Sequence, residues 1–174
     1  VIAVPNGPSI GAYHSLKISG TNAVFPAEVS LRGNLTLDNV VSFSGKKIKL
    51  SGTELQTIDG TALINFNDLE IDKVSGTVAL TKPISVDGTL ILTNGRIVLG
   101  SNDLTLGSNA VVGTFDVNAM IVADGTGFVR RAFSSAGSYF YPIGEVTSNP
   151  AYSPISVNVT AGSFSNGFVS VSVV

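Results

Sequence analysis

The chain has no cysteine, one methionine, one histidine and only 13% charged residues. Without cysteine, a disulfide framework and a thiolate metal site are both excluded. A single imidazole cannot build a multi-histidine metal site or a hydrolytic triad, so His14, beside Tyr13, reads as an exposed or capping residue. The charged fraction is about half the usual share for a globular domain, and the formal net charge is −2. The densest basic run is Lys46-Lys47 with Lys49. It is too short to track a duplex, so no nucleic-acid partner is expected, and it reads as lysine protection of a strand edge. No stretch approaches the roughly 20 apolar residues of a membrane-spanning helix, so no membrane insertion is expected. Val1 opens on no signal-peptide pattern, and a mature product or fragment is the expectation.

What is present is short alternation. Hydrophobic residues make up 44% of 174, enough for a real core. Sustained i, i+3, i+4 apolar spacing is nearly absent. Instead, Leu16-Lys17-Ile18, Leu35-Thr36-Leu37, Ile48-Lys49-Leu50, Leu90-Ile91-Leu92 and Leu104-Thr105-Leu106 place one side chain in two on a common face. Ser19-Gly20, Ser44-Gly45, Asp59-Gly60, Asp87-Gly88, Asn94-Gly95 and Asp124-Gly125 punctuate these runs as turns. Residues 13–52 repeat as 66–108 with an offset drifting from 53 to 56. A unit this long with several short strands predicts two or more coils of a parallel β-helix. Asn39 and Asn94, matched in that alignment, are either plain turn residues or members of an amide ladder.

Near residue 126 the character changes. Phe128, Phe133, Tyr139, Phe140, Tyr141, Tyr152, Phe164 and Phe168 cluster, with Pro142, Pro150 and Pro154 between them. Clean alternation returns in Ile155–Val159 and Phe168–Val173. The expected fold is therefore all-β: a parallel β-solenoid over 1–125, followed by a small antiparallel, sandwich-like segment over 126–174. That segment is expected to be incomplete without further chain or a partner strand.

Three segments carry a family likeness: Gly88-Thr-Leu-Ile-Leu-Thr-Asn-Gly-Arg-Ile-Val-Leu-Gly-Ser-Asn-Asp-Leu-Thr-Leu106, Met120-Ile-Val-Ala-Asp-Gly-Thr-Gly-Phe-Val-Arg-Arg131, and Phe140-Tyr-Pro-Ile-Gly144 with Tyr152-Ser-Pro154. Together they resemble repeats in large secreted surface proteins of Bacteroidetes-type bacteria, typically exported by the type IX route. The resemblance covers roughly 13–174. It implies a secreted, cell-surface location and brings no catalytic residues or cofactor.

Few side chains invite chemistry. Asp68, Glu70 and Asp72 share one strand face and form a weak calcium candidate, although three carboxylates are few for calcium and a solvated face is the simpler reading. Of Arg130-Arg131, one is expected to pair with an acid such as Asp124 or Glu145 and the other to face solvent. The paired carboxylates or cationic clusters of polysaccharide-active β-helices are not visible, so no enzyme activity and no cofactor are expected. A Thr array for ice binding is interrupted by Asp, Lys and Ser. In Tyr139-Phe140-Tyr141 at least one ring must face outward if the segment is a strand, which makes Tyr139 and Tyr141 candidate contacts for a glycan or a neighbouring subunit. Phe168, Val169, Val171 and Val173 are candidates for assembly by strand addition. The expected function is an extracellular structural or adhesive module, one version of it a filament subunit. Its partners would be itself, neighbouring surface-protein segments or a glycan. A carbohydrate-binding module is the alternative, ahead of a polysaccharide-active enzyme.

Overall fold

A computed structural model describes residues 2–3, 13–21, 23–109, 111–147 and 149–173. Val1, the start of the chain, and Val174, the end of the expected terminal strand, lie outside them. All regular structure among the described residues is β. Parallel strands stack into a β-solenoid of about six coils with three faces.

Each coil runs from first face to second to third. On the first face Val29, Ile48, Leu69, Leu90 and Val111 stand in register. The second face stacks Leu16, Leu35, Ile58 and Leu80, and continues from Val78 through Ile97 and Ile121 to Ile143. On the third, Ile64, Ile84, Leu104 and Val129 align. Coil length therefore ranges from the step Leu16 to Leu35 up to the step Leu104 to Val129. Strand alternation sends one side chain in two to the interior, and the result is a continuous aliphatic core in which Leu31, Leu50, Leu69, Ile71, Leu92 and Leu104 are fully buried. Toward the third face of the lowest coils, Phe25, Phe43 and Phe66 fill the interior. Their ring centroids lie 4.8 and 5.2 Å apart, within the favoured range for aromatic pairs.

The 53–56-residue offset carries strands from face to face rather than coil onto coil. Leu16–Ile18 lies on the second face, but its counterpart Leu69–Ile71 is on the first. Lys47–Leu50 is on the first, whereas Leu104–Leu106 is on the third. Every face is built from the same short Leu-x-Leu run and turn, so sequence likeness cannot tell a face from a coil. Asn39 and Asn94 accordingly do not stack. Asn39 sits at the corner between second and third faces, where its amide donates to the Ser19 carbonyl. Asn94 lies at the bend between first and second.

Tight corners require glycine where the coil below passes close. Gly60 has φ +123°, and a Cβ there would sit 2.1 Å from the Leu37 carbonyl oxygen, so any side chain meets both strain and backbone.

The solenoid crosses residue 126. Val129–Arg131 pairs in parallel with Leu104–Leu106, and Ile143-Gly144 with Ile121-Val122. The antiparallel segment is the chain turning back after Glu145. Ala151-Tyr152 pairs antiparallel with Glu145-Gly144 on the second face. The strand Ile155–Val171 then runs antiparallel to Val129–Tyr141, and the Val173 amide donates to the Ala123 carbonyl. The last coil is thus wound in reverse over the same core, with Tyr139, Tyr141 and Ile143 as core members.

Candidate functional site

Three features stand out against the aliphatic interior and the polar faces: a charged ladder, a set of buried polar side chains, and the reversed coil at the end of the rod.

The ladder lies on the outer side of the first face. Register stacks Lys47 and Lys49 beside Asp68 and Glu70 of the next coil. Lys47 bridges Glu28 at 3.0 Å and Glu70 at 2.8 Å; Lys49 bridges Glu70 at 3.0 Å and Asp72 at 2.6 Å. Hydrogen bonds donated to the carboxylates of Glu70 first and then Glu28 raise the Lys47 ammonium above its ordinary value. Asp72 first, with Glu70 adding to it, does the same for Lys49 against the opposing pull of burial. Burial alone would push Glu70 up, but the bonds from Lys47 and Lys49 outweigh it and hold its carboxyl low. Asp68 points elsewhere, accepting the Thr89 amide at 2.7 Å. The three carboxylates of the calcium candidate therefore share a strand without converging, and Glu70 and Asp72 already have lysine counter-ions. Among the described residues no group of three or more acidic, histidine or cysteine side chains is placed to hold a metal.

This network should show in acid. A carboxyl whose folded pKa is depressed contributes stability above its unfolded value, here 4.5, and loses it as pH falls through the lower folded value. Glu70→Gln is expected to cost about 1 kcal/mol at neutral pH, a modest figure because the pairs are partly solvated. Denaturant titrations of both proteins should show the gap constant above pH 4.5 and closing below it. A gap independent of pH would mean that Glu70 acts through packing alone.

Among the described residues, Gln56, Lys73 and Arg131 are the buried polar side chains. Lys73 Nζ donates to Gln56 Oε1 at 2.6 Å, and Gln56 Nε2 donates to the carbonyls of Gly33 at 2.6 Å and Leu31 at 3.2 Å. This chain of bonds links three successive coils at the corner between first and second faces. Gly95 closes over it, since a Cβ there would meet Lys73 Cβ at 2.8 Å.

Arg131 occupies an inward position of the third face, above Leu106. It donates to the carbonyls of Phe140, at 2.9 Å, and Asn109, and its guanidinium carbon lies 5.5 Å from the Tyr139 ring centroid. Its Nε is buried with no partner. The expected pairing is corrected. Arg130 is the outward residue, and it pairs with Asp103 at 2.8 Å. Asp124 instead accepts the Val146 amide and the Thr147 hydroxyl. Period-two parity was the signal for all three: Gln56 alternates with Ile58, Lys73 with Ile71, and Arg131 with Val129.

Tyr139 and Tyr141, the expected contact residues, are core residues. Tyr139 donates its hydroxyl to the Ser135 carbonyl at 3.0 Å, and Tyr141 donates to that of Val169 at 3.4 Å. Phe140 takes the outward place between them and packs on Phe115 with centroids 5.4 Å apart. Phe168 is 53% exposed, on the outer side opposite Ala132. Val169, Val171 and Val173 point at the core yet stay half-exposed, because no coil covers them among the described residues. His14 is exposed and joins none of these groups.

No family model, curated protein or solved structure matches the chain.

An open groove of about 800 Å³ lies beside the lower coils. Val24, Val40 and Val41 line it together with Asn65, Asn67 and Asp87. Two of its valines are well exposed.

Proposed function

We propose that this chain is a rigid structural segment of a secreted surface protein, serving as a spacer or adhesive module. The observation that carries this reading is the way each coil is fastened to the next. Backbone pairing on the faces is supplemented at the corners by side chains reaching the carbonyls of the coil before. Thr61 donates to Asp38, Thr81 to Ile58, Lys82 to Gly60 and Ala62, and Asn102 to Leu80. Such stacking gives a rod of roughly 30 Å for six strand spacings, stiff along its axis and independent of disulfides. The low charge and the resemblance to type IX cargo support an extracellular setting. Immunogold electron microscopy of source cells tests it: label is expected on the outer surface, in rods or filaments. Label confined to the cell interior overturns the reading.

A second reading, a carbohydrate-binding module, is favoured by the groove at Val24 and Val40. Its amides and the Asp87 carboxylate suit sugar hydroxyls, and its valines suit a pyranose face. Glycan-array binding that is lost on Asn65→Ala and Asp87→Ala would support it.

A further inference from the structure

The reversed coil is an edge of an unusual kind. Among the described residues Ile155–Val171 is the end strand of its sheet, paired to Val129–Tyr141 on one side only. Natural edges are blunted by charged side chains, proline or bulges. Here the ten lysines and arginines and the twelve acidic residues fall between Lys17 and Glu145, so residues 146–174 contain no charged side chain. The register shifts are the one blunting device on this strand, and they confine irregularity to its middle, leaving two regular arms, Ile155–Val159 and Gly167–Val171. Neither arm contains proline. On the core side of these arms Val157, Val159, Val169 and Val171 are half-buried, and Ile155, in the same alternation, is exposed.

We infer that this edge binds a second copy of the same chain, end to end about a two-fold axis through the bend between the arms. The two arms are equal in length, so such an axis lays the first arm of one copy antiparallel to the second arm of the other. The register that keeps valines facing the core pairs Ile155 with Val171, Val157 with Val169 and Ser156 with Ser170. Asn158 then covers Phe168 of the second copy. An isologous contact is self-complementary, and a strand with charges would risk setting like charges against each other across it. The uncharged sequence avoids that cost. The contact extends the sheet through both solenoids and shields the half-exposed valines of each. It goes beyond the rod reading and does not depend on where the protein resides, because it is measured on the purified chain.

Light scattering after size exclusion should give twice the chain mass. The absence of native cysteine makes the register directly testable at two exposed serines. Under mild oxidation, a mixture of Ser156→Cys and Ser170→Cys chains should yield a covalent heterodimer, while each variant alone stays uncrosslinked. Circular dichroism checks that both variants fold, as exposed positions should allow. Monomer throughout a dilution series overturns the inference, and so does crosslinking by Ser156→Cys alone, which would demand another arrangement.

Discussion

Replacing Gln56 by Leu is expected to cost about 3 kcal/mol, because the change strands a buried ammonium rather than because it removes a glutamine. Lys73 has Gln56 Oε1 as its hydrogen-bond acceptor at 2.6 Å, and no salt-bridge partner within the described residues. Burial holds its pKa below the ordinary lysine value, with Glu54 offsetting only part of the effect. Lys73→Met in the Gln56→Leu background removes the stranded charge and should recover about 2 kcal/mol. The remaining deficit belongs to the Leu31 and Gly33 carbonyls, which lose their amide donor. Urea midpoints of the four proteins in this cycle give the coupling directly. Additive single effects would mean the lysine finds another acceptor. The pH dependence supplies a second check. The folded chain holds its Lys73 proton less tightly than the unfolded chain, so this site makes stability rise with pH between the lowered value and 10.5. Lys73→Met should lack that alkaline rise.

Much of the fold could be read from alternation, and the failures have one cause. Leu-x-Leu runs with turn pairs identify strands that bury one side, and stacked copies imply a solenoid. Alternation says nothing about which strand lies beside which. The same period-two pattern serves all three faces, so the alignment of 13–52 on 66–108 slipped between faces. The same pattern also serves parallel and antiparallel neighbours. Nothing in Ile155-Ser156-Val157-Asn158-Val159 distinguishes a new sheet from a reversed coil on an old core. Parity alone does not say which side of a strand faces the core. Tyr139 and Tyr141 attract attention as exposed aromatics, but they flank Phe140, and only one side of that strand faces out. Asp68, Glu70 and Asp72 share the outer side of one strand. Their partners Lys47 and Lys49 lie one coil away, a distance that becomes visible only once the coil length is known.

Leu69→Ala, at the centre of the stack, is expected to cost about 3 kcal/mol, within the usual 2–5 for a buried leucine. Leu69 is fully buried and stands between Ile48 below and Leu90 above, so truncation opens a cavity against two coils at once. Leu16→Ala, on the first described strand of the second face, touches only Leu35 in its stack among the described residues and starts half-exposed. Its cost should be about 1 kcal/mol, the smaller share of one interface. In a solenoid, stability is the sum of each coil's own terms and its contacts with immediate neighbours. Hydrogen exchange should therefore show Leu69→Ala lowering protection first in the coils carrying Ile48 and Leu90, with Ile121 and Ile143 affected last. Uniform loss across all coils would mean that the rod unfolds as one cooperative block. In that case Leu16→Ala should lower every coil's protection too, by its smaller amount, and the contrast between centre and end would survive in magnitude while vanishing in space.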